Sequence, residues 1–280
     1  MILTGKARLA GVIGWPVSHS LSPRLHGHWL ESYGIDGAYL PLAVAPEALE
    51  RVLPALADIG LRGFNVTLPH KEAVLALCDE TTEEARRIGA VNTVSIREGR
   101  FLGSNTDAFG FSENLKAGAP DWDPAAGPAV VIGAGGAARA IVVALQDLGA
   151  PSVRLANRTA ERAEALAAEF TGPTPVEVLS WAEREAGLEG AGLLVNSTQL
   201  GMQGQSSLDL SLEALPDSAL VTDAVYAPLE TALLVAARGR GNPVVDGLGM
   251  LLHQARPGFA AWFGREPEVT AELRAFVLGN

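Results

Sequence analysis

Gly133-Ala134-Gly135-Gly136-Ala137-Ala138 follows the apolar run Ala129–Ile132 directly and opens the helical run Arg139–Leu148. A GxGxxA turn in that position has a specific use. Its glycines permit a tight bend and let backbone approach a pyrophosphate, whose charge then rests on the exposed N–H groups at the helix start. A glycine-rich turn also occurs without a ligand; the strand before it and the helix after it are what the binding reading requires. About 20 residues on, a site for NAD closes its second strand with Asp or Glu to hold the ribose hydroxyls. Here that strand ends in Asn157-Arg158-Thr159, with Arg162 one helical turn further on the same face. A guanidinium fork matches a 2′-phosphate in charge and geometry, so the expected cofactor is NADP and not NAD.

The first half of the chain holds a different set of groups. Ser18, Ser20, Ser22, Asn65, Thr67, Asn92, Thr93, Asn105 and Thr106 gather at the ends of expected strands, and hydroxyls and amides in that number suit a polyhydroxylated ligand. Two charged residues stand among them, Lys71 and Asp107. Such a pair can move a proton to and from a hydroxyl while a nicotinamide gives or takes a hydride, chemistry that needs no metal. Taken singly, they read more readily as a surface lysine and a helix-capping aspartate, and spacing alone does not overturn that reading. The histidines His19, His26, His28, His70 and His253 form no HxxxH or HExxH pattern, and Cys78 is alone, so neither a metal site nor a disulfide is expected.

Positioning these groups takes βαβ units. Short runs of Val, Ile and Leu alternate with longer segments of helical period in both halves, the pattern of a mainly parallel sheet. Strands are expected near Ala10–Gly14, Ala38–Val44, Gly63–Thr67 and Val91–Ile96, with helices starting near Pro23, Pro46 and Pro69. Ser22 before Pro23 reads as a helix N-cap with proline in the first turn. Further strands are expected near Ala129–Ile132, Ser152–Ala156, Leu193–Asn196, Ala219–Asp223 and Pro243–Val245, with a helix around Ala160–Glu169. Ala117–Pro128, rich in Ala, Gly, Pro and Asp, reads as a surface connection.

The 280 residues are 48% hydrophobic and 19% charged, enough for a core and for one large domain or two ordinary ones. Charged residues interrupt every apolar stretch, so no membrane span is expected, and the N-terminus has no secretory pattern, which points to the cytoplasm. A net charge of −11 repels nucleic acid and anionic lipid, so the expected partner is a small molecule held by local donors.

Blocks in both halves carry a family pattern: Ser18-His19-Ser20-Leu21-Ser22-Pro23, Asn65-Val66-Thr67-Leu68-Pro69-His70-Lys71, Gly89-Ala90-Val91-Asn92-Thr93 and Asn105-Thr106-Asp107, then Gly133–Ala138, Asn157-Arg158-Thr159, Asn196-Ser197-Thr198, Val225-Tyr226-Ala227-Pro228 and Asp246-Gly247-Leu248-Gly249-Met250. In this order, over nearly the whole chain, they resemble the shikimate dehydrogenase family. The resemblance implies two domains: a mainly parallel α/β substrate-binding and catalytic domain (1–106 and 247–280), and a Rossmann-type NADP-binding domain (107–246). It implies reversible NADPH-dependent reduction of 3-dehydroshikimate to shikimate, a step toward the aromatic amino acids. Ser20, Ser22 and Tyr226 would bind the substrate carboxylate, Thr67, Asn92 and Gln254 its ring hydroxyls, and Lys71 with Asp107 would be the catalytic pair. The cofactor would meet Gly133, Ala134, Gly135, Gly136, Ala137, Asn157, Arg158, Thr159, Arg162, Thr198, Ala224, Gly247 and Met250, and also Glu83, for which the sequence offers no physical account. Two departures stand out: Gly27 replaces an asparagine common in relatives, and Arg256-Pro257 is expected to interrupt the helix after Gln254. Quinate as substrate, NAD as cofactor, and a regulatory protein that has lost its chemistry remain alternatives; the last should have lost Lys71 or Asp107. The assembly is expected to be a monomer or a homodimer.

Overall fold

Apolar runs buried on both faces, such as those at 129–132, 193–196 and 220–223, form central strands of one of two separate sheets. The computed structural model describes residues 2–279, and these form two units, 2–106 with 252–279, and Asp107–Leu251.

The first unit begins β1 (Arg8–Gly14), α1 (Ser22–Ser32), β2 (Gly37–Ala43), a 3-10 turn at Pro46–Ala48 leading into α2 (Leu49–Asp58), β3 (Leu61–Val66) and α3 (Lys71–Leu77). It continues through β4 (Glu80–Thr81), α4 (Glu83–Ile88), β5 (Thr93–Arg97) and β6 (Arg100–Ser104). The sheet order is β2-β1-β3-β5-β6-β4. β1 is parallel to β2 and β3, but β5 is antiparallel to both β3 and β6. The sequence pattern predicts β5 but not its hairpin partner. The turn between them, Glu98-Gly99, has φ of +52° and +76°, the pair of positive angles that fits a two-residue hairpin to twisted strands. Because β5 runs against β3, the start of one lies beside the end of the other, and the polar residues 65–67 and 92–93 fall at one edge of the sheet.

Ser22 is not the N-cap of α1. Leu21 takes that place without a side-chain cap, and Ser22 is the first helical residue, its own N–H bonded to Ser20 Oγ at 3.3 Å. Proline in the first turn loses nothing by this, since N–H groups there have no intrahelical partner.

The second unit runs α5 (Asp107–Gly118), β7 (Ala129–Ile132), α6 (Gly136–Leu148), β8 (Val153–Ala156), α7 (Ala160–Glu169), β9 (Val176–Leu179), β10 (Leu193–Asn196), β11 (Leu220–Asp223), α8 (Ala232–Arg240) and β12 (Val244–Val245). All its strands are parallel, in the order β12-β11-β10-β7-β8-β9. Read from its β9 edge, with β7 as the first strand, this is 3-2-1-4-5-6, the doubly wound dinucleotide-binding order, with its switch point between β7 and β10. Helix α5 contains Gly110 and ends at Gly118, which hid it in the sequence.

The chain then passes through α9 (Leu248–Phe263) to α10 (Ala271–Leu278). Pro257 does not interrupt α9 as expected; the helix is continuous through it. A proline inside a helix costs about 3 kcal/mol. Against that, Phe259, Trp262 and Phe263 are fully buried, and each such side chain contributes roughly 1.5–3 kcal/mol. Trp262 lies on Gly63 of β3, where any Cβ would meet its indole at 2.0 Å, and donates a hydrogen bond to Val94 O at 3.1 Å. The C-terminal segment is thereby packed into the first unit's core.

Candidate active site

In the first unit the predicted polar residues meet at the carboxyl ends of β1 and β3 and the amino end of β5. Asn65 is the hub. Tyr39 Oη donates to its Oδ1 at 2.6 Å, and its Nδ2 donates to Asn92 O at 3.2 Å and Thr93 Oγ1 at 3.0 Å. Asn92, 4% exposed, accepts at Oδ1 from Thr93 Oγ1 (2.9 Å), Thr106 N (2.9 Å) and Thr106 Oγ1 (3.2 Å). Its side-chain oxygen is therefore committed within the protein, which fixes which way the amide faces. Thr67 follows β3, its N–H bonded to Ile13 O at 2.9 Å; a Cβ on Gly14 would strike its methyl group at 2.5 Å, so the end of β1 has to be glycine for Thr67 to sit there. Lys71 is the first residue of α3, half-buried, and its carbonyl receives Val91 N at 2.9 Å. Ser20 and Ser22 are half-buried at the start of α1. Gln254 is half-buried on α9.

Tyr39 has no place in the sequence-based site. It is 7% exposed and joins this cluster from β2; burial pushes its hydroxyl pKa well above the ordinary value, with a hydrogen bond to Ser22 acting the other way. His26 stacks flat on it, ring centroids 3.9 Å apart and planes 2° from parallel. Asn65 is suggested by its position beside Thr67, but an aromatic residue inside an apolar strand carries no sequence signal of a polar role. His70 is structural: it is 2% exposed, with Nε2 at 2.7 Å from Val44 O.

In the second unit Asp107 is the first residue of α5 and 5% exposed. Gly133 has φ +112°, and a Cβ there would meet Ser197 Oγ at 2.5 Å. Gly135 and Gly136 are exposed, and a Cβ on either would meet nothing within 4 Å. Helix α6 starts at Gly136 with no side-chain cap and no acidic residue in its first turn. Its leading N–H groups thus face an open cradle, with the positive end of the helix dipole behind them. Ala134 and Ala137 flank that cradle, half-buried. Asn157 directly follows the next strand and turns its Nδ2 onto Thr159 O at 2.7 Å, and Arg158, Thr159 and Arg162 are exposed. These residues fit a dinucleotide with a phosphorylated ribose. Past the switch point, Asn196 Oδ1 accepts from Thr198 N at 3.0 Å and Thr198 Oγ1 at 2.7 Å. Ala224 bonds back to Asn196 O at 2.8 Å. A Cβ at Gly247 would lie 2.5 Å from Asp223 O, so that residue too must be glycine. Tyr226 and Met250 are half-buried, and burial raises the Tyr226 hydroxyl pKa. Glu83 is exposed and paired with Arg86 at 3.2 Å on α4 of the first unit; nothing in the structure connects it with a cofactor. Among the described residues no group of three or more His, Cys, Asp or Glu side chains is arranged to hold a metal ion, and no helix is long and apolar enough to cross a membrane.

A parallel sheet in the order 3-2-1-4-5-6, with an open glycine turn at its switch point, defines a dinucleotide-binding α/β protein. Residues 12–94 match the family profile of the shikimate dehydrogenase substrate binding domain, and residues 123–202 that of shikimate / quinate 5-dehydrogenase. The chain is 65% identical to the shikimate dehydrogenase (NADP(+)) of Paramagnetospirillum magneticum, over 99% of this chain and 100% of that one. The crystal structure of shikimate 5-dehydrogenase from Thermus thermophilus in complex with NADP(H) and shikimate is similar at a TM-score of 0.86 and 42% identity, covering 97% and 99% of the two chains. Quinate dehydrogenase from Corynebacterium glutamicum in complex with NAD gives a TM-score of 0.91 at 33% identity, covering 98% and 99%. The chain belongs to the shikimate dehydrogenase family.

Proposed function

We propose that this protein catalyses the reversible NADPH-dependent reduction of 3-dehydroshikimate to shikimate. The observation that carries the reading is the open cradle at Gly135 and Gly136 followed, at the end of the next strand, by an exposed Arg158 where an NAD enzyme needs a carboxylate. NADP, when bound, supplies or accepts the hydride. Residues of the first unit orient the substrate: Ser20 and Ser22 hold its carboxylate, and Thr67, Asn92 and Gln254 its ring hydroxyls. Tyr226 adds a phenolic donor for the carboxylate. Lys71 Nζ gives the proton to the C3 oxygen during reduction and removes it during oxidation, with Asp107 as the second member of the acid-base pair. The orientation of Asn92, set by Thr93 and Thr106, supports its role as a fixed partner for a hydroxyl.

We assign 1–106 and 247–280 to the substrate and 107–246 to the cofactor, in a cytoplasmic monomer or homodimer with no nucleic-acid or membrane partner. The net charge of −11 supports that last exclusion. The likeness to a quinate dehydrogenase with NAD supports a second reading, broader acid specificity. Initial rates with shikimate and quinate, each against NADP and NAD, separate these. Shikimate turnover with a preference for NADP is the expected result; turnover with quinate or NAD preferred would overturn the substrate or cofactor assignment, and none with any pair would favour a regulatory protein.

A further inference from the structure

Asp223 closes β11 and is 1% exposed, a carboxylate enclosed at the edge of a cofactor-binding sheet. Its hydrogen bonds go to residues that shape strand-end loops. Its Oδ1 accepts from Val225 N at 2.9 Å and from Asn196 Nδ2 at 3.0 Å, and its Oδ2 accepts from Thr231 Oγ1 at 2.7 Å. Asn196 in turn holds Leu200 O at 2.9 Å through the same Nδ2 and receives both the N–H and the hydroxyl of Thr198. Thr198 Oγ1 accepts from Leu200 N at 3.0 Å, closing the turn. Thr231 caps α8, accepting from Leu234 N at 3.4 Å. One carboxylate thus ties together the loop after β10, the loop after β11 and the start of α8.

We infer that Asp223 is a positioning residue, holding Thr198 and the backbone directly before Tyr226 in the one arrangement that the reaction uses. The inference rests on the proposed roles of Thr198, Ala224 and Tyr226. Burial raises the Asp223 carboxyl above its usual range, while the bonds from Val225, Thr231 and Asn196 pull the other way. A buried group under that cost persists where its partners need it fixed, and removing it leaves three donors without an acceptor. An aspartate at a strand end has no sequence signature for this; the acceptor geometry reveals it.

The test compares Asp223→Ala, Asp223→Asn, Thr231→Val and Tyr226→Phe with Asn242→Ala, by steady-state kinetics and melting temperature. Asn242 is the control: it is 4% exposed and bonds Pro216 O, Asp217 O and Ala219 O at the opposite end of β11. Asp223→Ala should raise KM for both shikimate and NADP at least about tenfold, more than it lowers kcat, and Asp223→Asn, which keeps the Oδ1 acceptor, should restore both to within about threefold. Thr231→Val, which removes the Oδ2 contact together with the cap on α8 and leaves both Oδ1 contacts, should show smaller rises in the same two constants and reads the knot if Asp223→Ala does not fold. Asn242→Ala should lower the melting temperature without moving either KM. Wild-type KM values in Asp223→Ala, or equal KM changes in Asn242→Ala, would overturn the inference. An unchanged shikimate KM in Tyr226→Phe would instead overturn the role of Tyr226, and the NADP KM of Asp223→Ala would still decide for or against the knot.

Discussion

Lys71 opens a short helix, where the dipole disfavours a cation, and its carbonyl is already used by Val91. A lysine kept at such a position is better explained by what its ammonium does than by helix stability. Lys71→Ala should lower kcat by roughly 10²–10⁴-fold with a smaller change in KM, as loss of a general acid-base group does; a change confined to KM would make it a binding residue. His26 carries a different, measurable signature. It is fully buried, neither ring nitrogen has a hydrogen-bond partner among the described residues, and burial, outweighing the influence of nearby Asn65, lowers its pKa from 6.5 to about 3. Its ring neighbours, Trp29, Tyr39, Phe259 and Trp262, carry no charge at mildly acid pH. Because the folded value lies below the unfolded one, the unfolded chain takes up the proton first, and stability is lost as pH falls below about 6.5. Between pH 8 and pH 5 that loss is about 2 kcal/mol from this residue. Denaturant unfolding of His26→Phe at the two pH values should show a difference smaller by that amount, whatever the variant's stability at pH 8.

The glycine turn offers a test at the scale of the element, because its glycines are there for opposite reasons. Gly133 is needed by the fold: its positive φ and the nearby Ser197 leave no room for a Cβ, so Gly133→Ala should destabilise the second unit by about 1–3 kcal/mol in thermal unfolding. Gly135 has φ −102° and open space around it. Gly135→Ala should leave the melting temperature of the ligand-free protein unchanged while raising KM for NADP at least about tenfold. Equal stability losses in both would remove the case for a cradle. The elements legible in the sequence are those whose residues are apolar on both faces, such as β7 (AVVI) and β10 (LLVN), together with the glycine turn that follows β7. β9 is not legible, because Glu177 and Val178 leave it exposed at the sheet's edge, and neither is β6, which depends on a hairpin turn at Glu98-Gly99. Of the site, the hydroxyl-bearing residues can be read from their places at strand ends. The bonds that orient them, from Tyr39 to Asn65 and from Asp223 to its three partners, depend on which strands become neighbours and have no local pattern.

For the whole molecule, the charge balance sets how anionic ligands are held. With a net charge of −11, the long-range field opposes NADP, and binding must come from the α6 start and from arginines near the 2′-phosphate. NADP at about a hundred times its Kd should stabilise the protein by about 2.7 kcal/mol, seen as a rise in melting temperature. In Arg158→Ala most of that rise should disappear at the same NADP concentration, while the shift produced by NAD stays the same. An equal loss with both cofactors would show that Arg158 does not read the phosphate.

The first unit is completed only by residues from Leu252 onward, while the second is one uninterrupted stretch, Asp107–Leu251. On a ribosome the order of completion is therefore reversed relative to the order of starting. Strands β1 to β6 emerge first, but their core lacks Phe259, Trp262 and Leu273, which are synthesised last. The second unit has all its own strands before then and can fold while the earlier segment waits with apolar surface uncovered, a period in which a nascent chain is most dependent on chaperones. Truncation after Leu251, the last residue of the second unit, should leave a folded, NADP-binding second unit attached to an unfolded first.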